Sequence, residues 1–130
     1  MARSEGSRPT RVAGAIQAEL ASLLMRGIVR DPRARDVVIT HVSITSDLQS
    51  VRVYVRKLGE VSLAEAEGAV IALTRASGFL RRELAPAITI RRVPELSFEW
   101  DESIDRAQRM ESILAELREP DSGDESDEGR

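Results

Sequence analysis

The sequence predicts an α+β domain, with helices packed on a small sheet. Two observations support this. Apolar residues recur at helical spacing in separate stretches, and between them shorter stretches alternate with a period of two. Punctuated by Gly and Pro, the pattern reads α-β-β-α-α-β-α, and a chain of 130 residues is long enough for one such domain with a modest core.

Residues 1–8 are small and polar and are expected to be loose, with the folded domain spanning 9–118. The first helix is expected from Pro9, carrying a stripe of Val12, Ile16, Leu20, Leu23 and Leu24. Gly27 is placed to end it, and Asp31-Pro32 forbids its continuation. In 37–45, Val37 and Ile39 share one parity while Val42 and Ile44 share the other, which predicts a bulge or a strand covered on both faces. Ser46-Asp47-Leu48-Gln49 reads as a hairpin turn with an Asx interaction. The second strand is cleaner, with Val51, Val53 and Val55 on one face and Arg52, Tyr54 and Arg56 on the other.

Ser62-Leu63-Ala64-Glu65 is a capping box, so a helix starts there. Its stripe runs through Leu63, Ala66, Val70, Leu73, Ala76, Leu80 and Leu84. Gly78 interrupts that pattern, and glycine costs a helix interior about 1 kcal/mol relative to alanine. The arginines around it favour a junction of two helices over one long helix. Beyond Pro86, a third strand is read from Ile88 and Ile90 through Leu96, Phe98 and Trp100, at an edge or bulged where Pro94 lacks a donor. A last helix begins at Asp101-Glu102-Ser103, with Ile104, Ala107, Met110, Ile113, Leu114 and Leu117 as its stripe. Residues 119–130 contain no hydrophobe and are expected to be disordered.

The net charge of −3 conceals segregation: residues 1–98 carry +5, 99–118 carry −3 and 119–130 carry −5. A basic body with an acidic extension points to polyanionic partners. Of 19 basic residues only Lys57 is lysine, a bias that suits phosphate recognition but that a G+C-rich genome also produces. The absence of cysteine excludes disulfides, thiolate metal sites and cysteine nucleophiles. No apolar run is long enough to span a membrane, so a soluble, cytoplasmic protein is expected.

Little in the chain supplies catalysis, and no enzyme activity, cofactor or metal is expected. His41, the one histidine, lies in a strand among Val and Thr. Phosphate-loop, nucleophile-elbow and zinc-protease motifs do not occur. The acids at 101–105 lack cation-loop spacing and suit a helix start. Binding is better supported. Arg75, Arg81 and Arg82 flank Gly78; Arg52, Arg56 and Lys57 lie on and after the second strand; Arg91 and Arg92 lie on the third; Arg8 and Arg11 lie at the first helix. These residues, with Ala76, Ser77 and Gly78, form the candidate RNA-binding set. Aromatics are few (Tyr54, Phe79, Phe98 and Trp100), which argues against a base-stacking sheet and for phosphate and shape contacts. The same arginines also suit solvated faces whose stems cover apolar neighbours.

The stretches "RPTRVAGAIQAELASLL", "DPR", "VSITSDLQSVRVYV" and "PELSFEWDESIDRAQRMESIL", in order from Arg8 to Leu117, resemble the bacterial ribosome-binding factor A family. The resemblance implies a type II KH-like fold, with an Ala-x-Gly kink, here Ala76-Ser77-Gly78, where most KH domains have Gly-x-x-Gly. It implies binding to the free small ribosomal subunit during late maturation of 16S rRNA and its 5′ end, with a cold-adaptation role. Release assisted by a GTPase is also implied and catalysis is not; a monomer is expected. The acidic tail lies outside the family pattern; a solvated terminus and a mimic that shields the arginine face are both open. Two other functions stay open here: a protein-docking module, and a KH-like nucleic-acid binder unconnected with ribosomes.

Overall fold

The structure, a computed structural model, describes residues 7–129, with side chains described over 7–118. The chain divides into two compact units, 1–100 and 101–130. The final helix, read from the sequence as part of the domain at 9–118, therefore belongs to the second unit.

In the first unit, α1 spans Arg8–Met25. Ser7 caps it, its Oγ accepting the Thr10 N–H at 3.2 Å, so Arg8 is already helical while residues 1–6 of the segment expected to be loose lie outside the described residues. Val12, Ile16, Leu20 and Leu23 are buried, as their spacing predicts. The helix ends at Gly27, whose φ of +70° suits a residue without Cβ. A short 3-10 turn at Pro32–Ala34 follows.

Strands β1 (Val37–Ile44) and β2 (Ser50–Lys57) pair antiparallel, and β3 (Glu95–Trp100) joins β2 in parallel, giving the order β1-β2-β3. The parity switch in β1 is a bulge: the register shifts between Ile39 and His41, and the Thr40 hydroxyl donates to the Tyr54 carbonyl at 3.3 Å. In the hairpin turn Asp47 Oδ1 accepts from the Gln49 N–H at 3.1 Å and the Thr45 hydroxyl at 2.7 Å, which fixes the Asx geometry. The third strand is shorter than the pattern suggests. Ile88 and Ile90 precede it, and Arg91 and Arg92 lie in the connecting loop rather than on the strand. Buried Pro94 offers no N–H to a ladder, so pairing starts at Glu95, whose N–H reaches the Gln49 carbonyl at 3.0 Å.

Helix α2 (Leu63–Arg75) opens on the complete capping box, with Glu65 N–H donating to Ser62 Oγ at 3.1 Å and Ser62 N–H to Glu65 Oε1 at 2.9 Å. Its buried face is Ala66, Gly68, Ala69, Ala72 and Leu73; Leu63, assigned to the stripe from its spacing, is exposed in the first turn. Helix α3 (Ser77–Leu84) buries Leu80 and Leu84. These side chains, with Val51, Val53, Val55 and Phe98 of the sheet and the α1 stripe, form one core that contains no buried polar residue among those described.

In the second unit α4 spans Ser103–Gly129. Asp101 Oδ1 accepts from the Ser103 N–H at 2.9 Å and hydroxyl at 2.6 Å, which starts the helix. The stripe residues Ile104, Met110, Ile113, Leu114 and Leu117 are exposed. The backbone over 119–129, where composition predicts disorder, continues the helix. Nucleation is the costly step in helix formation; once the capped first turn exists, each added residue gains a hydrogen bond.

Candidate nucleic-acid interface

The helical pattern breaks at Ala76. Its backbone (φ −88°, ψ 1°) leaves the helical region, and its N–H is shared between the Ala72 and Leu73 carbonyls at 3.1 Å each, tightening the last turn of α2. The junction expected near Gly78 is therefore two residues earlier. Gly78 sits in the first turn of α3, without a left-handed φ. A Cβ there would meet only Arg82 Nη1, at 3.9 Å. No side chain caps α3.

This break distributes the arginines that the sequence places around one glycine. Arg75, at the end of α2, lines a cleft with Ala76, Phe79 and the loop after α1. Arg81, four residues into α3, turns to the other side. Its Nη2 donates to the Val93 carbonyl at 2.8 Å, which ties α3 to the loop before β3. Its Nε is buried without a hydrogen-bond partner, an orphan donor that costs stability unless something else repays it.

Arg81 lines a second cleft, of about 640 Å³, with Arg8, Arg91 and Arg92, floored by the hairpin turn and by Ile90, Val93 and Pro94. Arg8 from the start of α1 thus joins Arg81, Arg91 and Arg92, more than 70 residues later, at one place. Arg8 also lines an adjoining hollow beside Arg11. The acids at the cleft are Asp47 and Glu95. Asp47 is held below the usual carboxylate range by the Thr45 hydroxyl first and the Gln49 amide second, so its charge is committed to its own turn.

The strand set is arranged differently. Arg52 Nε pairs with Glu99 Oε2 at 3.1 Å, and Arg56 lies 4.8 Å from the Trp100 ring centroid. Lys57 Nζ donates to the Arg33 carbonyl at 3.1 Å. The outer face of β2 is thus tied to β3 and the 3-10 turn and does not join the arginine-lined cleft. His41 is exposed and stacks beside Tyr54, ring centroids 5.7 Å apart. Among the described residues no cluster of His, Cys, Asp and Glu is placed to hold a metal, and no helix is long and apolar enough to cross a membrane. Sequence reasoning missed Arg26, Arg30 and Phe79 at the first cleft. No local signal links residues 26–30 to 72–79, because the fold alone brings them together.

Comparison with known proteins gives this arrangement a family. The profile described as Ribosome-binding factor A matches residues 8–114. The chain belongs to that family. Curated members are similar over nearly the whole chain. Ribosome-binding factor A of Desulfatibacillum aliphaticivorans is 43% identical, covering 93% of this chain and 96% of its own length. That of Syntrophobacter fumaroxidans is 38% identical, covering 87% and 96%. The crystal structure of ribosome-binding factor A from Thermus thermophilus superposes with a TM-score of 0.63 at 27% identity, covering 73% of this chain and 97% of that one. A homology model of the Thermus thermophilus factor, fitted into a cryo-electron-microscopy map of its complex with the 30S subunit, matches with a TM-score of 0.50 at 31% identity. It covers 68% of this chain and 93% of that one. The α+β architecture of this family member is the one its solved relatives share.

Proposed function

We propose that this chain is a ribosome assembly factor that binds the free small ribosomal subunit and contacts 16S rRNA through the cleft of Arg8, Arg81, Arg91 and Arg92. The convergence of those four residues carries the reading. Guanidinium forks suit phosphate oxygens, and Arg91 and Arg92 are exposed at the mouth of the cleft while Arg81 is anchored to the Val93 carbonyl. Family membership and the relative fitted into a 30S complex support the choice of partner. The order α-β-β-α-α-β of the first unit supports a type II KH-like fold with its kink at Ala76-Ser77-Gly78. In keeping with the family, its task is late 16S rRNA maturation including the 5′ end, with a role in the cold. It acts in the cytoplasm as a monomer without catalysis or cofactor, and a GTPase assists its release.

Binding by phosphate contacts releases counterions. Four contacts to single-stranded RNA give a slope of about −3 in log affinity against log salt. Replacing exposed Arg91 and Arg92 with glutamate is expected to weaken co-sedimentation with free small subunits at least about tenfold and to flatten that slope. Arg52→Gln, whose wild-type side chain is engaged with Glu99, should change little. Unchanged binding by the Arg91→Glu, Arg92→Glu protein would remove this cleft from the interface. Binding to assembled particles but not to naked rRNA would favour protein docking.

A further inference from the structure

A groove at the C-terminal end of α1 differs in chemistry from both arginine-bearing clefts. It encloses about 660 Å³. One wall is the last turn of α1, with Leu24 and Met25, and the other is the open end of the β1–β2 hairpin, with Val37, Val38 and Leu58. That end is fixed: Val37 pairs with Lys57, and the Leu58 N–H donates to the Asp36 carbonyl at 3.0 Å. Among the described residues of the first unit six large apolar side chains are exposed, and three of them are here, Met25 at 87%, Leu58 at 63% and Val38 at 37%. Apolar exposure gathered round one hollow, rather than scattered, marks a docking surface.

Arg30 and Arg35 line the groove without an ion-pair partner among the described residues. Of its two acids, Asp31 is spent on Arg33, which holds it through Nε at 3.1 Å and Nη2 at 2.8 Å. Asp36 alone then faces two arginines, so the rim favours carboxylates beside an apolar contact. An extended peptide would add to the free edge of β1, but the register shift between Ile39 and His41 breaks that edge within two residues of Val38. A helix needs no such edge and inserts side chains at i, i+3 or i+4, and i+7. The acidic residues 119–130 of this chain carry no hydrophobe and cannot fill the groove. Its position matters too. Helix α1 is 18 residues long, about 27 Å, with Arg8 of the arginine cleft at its start and Met25 at its end.

We propose that this groove docks an acidic amphipathic helix of another protein, its apolar stripe on Met25, Val38 and Leu58 and its carboxylates beside Arg30 and Arg35. The inference goes beyond the rRNA-binding reading and stands without it. A chain held on RNA at one end of α1 can be met by a protein at the other.

The probe is a synthetic helical peptide with leucine at i, i+3, i+4 and i+7 and glutamate on its flanks, titrated into the full chain and followed by methyl NMR. Its controls are the same peptide with lysine for glutamate and a scrambled peptide of the same composition. The glutamate peptide is expected to shift the Met25, Val38 and Leu58 methyl signals, and the controls are not. Leu58→Ser, at an exposed position, should leave the thermal melt unchanged and lower peptide affinity about fivefold or more. Arg35→Glu, also exposed, should weaken the glutamate peptide and strengthen the lysine one, an exchange of preference that a misfolded variant would not show. Saturating short single-stranded RNA should not displace the peptide. Wild-type affinity in Leu58→Ser, equal binding of either control, or displacement by RNA overturns the proposal. Sedimentation equilibrium tests the other occupant: a wild-type dimer that Leu58→Ser abolishes assigns the groove to a second copy and overturns the foreign helix.

Discussion

Replacing Gly78 with alanine separates what the glycine does for the fold from what it does for the ligand. Gly78 lies in the first turn of α3, with an ordinary helical φ, and an added methyl group would meet nothing nearer than Arg82 Nη1 at 3.9 Å. That is ordinary van der Waals contact with the mobile end of an exposed side chain. The fold therefore places no steric demand on this position. The helical propensity difference, about 0.5–1 kcal/mol, should appear as added stability. For a domain of this size that is a rise of about 2–6 °C in Tm. Urea melts should show the midpoint moving up at constant slope. A fall in Tm would refute the argument, because it would mean that the glycine relieves a constraint absent from the geometry described here. Small-subunit affinity should stay within about threefold of wild type, since the interface is assigned to arginines and not to the Gly78 backbone.

Other perturbations test the scaffold. Ser62→Ala removes the capping-box acceptor at the start of α2 and should cost about 0.5–2 kcal/mol in a denaturant melt. The Glu65 half of that box should fade with acid, since the Ser62 amide holds its carboxylate below the usual range. Its contribution is full above the ordinary Glu pKa and disappears as pH falls through the lowered one. Asp31, with its pKa lowered to about 2 chiefly by its side-chain bond to Arg33, should stay ionised at a pH where an unperturbed aspartate protonates. Its ion pair supports the fold fully above the unfolded value of 3.8 and is lost as pH falls towards 2, which carboxyl NMR titration would show. Leu80→Ala, at a position without solvent exposure, should destabilise by about 2–5 kcal/mol, measurable by calorimetry or urea.

What could be read from the sequence was local. The α1 stripe, the bulge in β1, the Asx turn and the capping box each depend on residues within about one turn of one another, and the structure has all four. The helix break was legible for the same reason, but its position was not. Glycine suggested residue 78, whereas Ala76 adopts the non-helical backbone without needing a special side chain. The long third strand was overread because parity alone does not reveal that a buried proline ends the ladder. The arginine clusters were legible as charge but not as sites. Whether Arg81 joins Arg75 or Arg8 depends on which way α3 leaves the corner, and Arg52 is drawn off by a glutamate 47 positions away that the parallel pairing of β2 with β3 brings beside it.

That parallel pair also gives the molecule an internal clock. The hairpin of β1 and β2 closes through a short turn, but β3 reaches β2 only after the whole α2–α3 excursion has been drawn in, a contact whose loop-closure entropy makes it slow to form. Trp100, the single tryptophan, ends β3 opposite Val55 and under the Arg56 guanidinium. Its fluorescence therefore reports the arrival of the last strand, while far-ultraviolet circular dichroism is dominated by helices that need not wait for it. In a stopped-flow refolding experiment the two signals time different events in one chain.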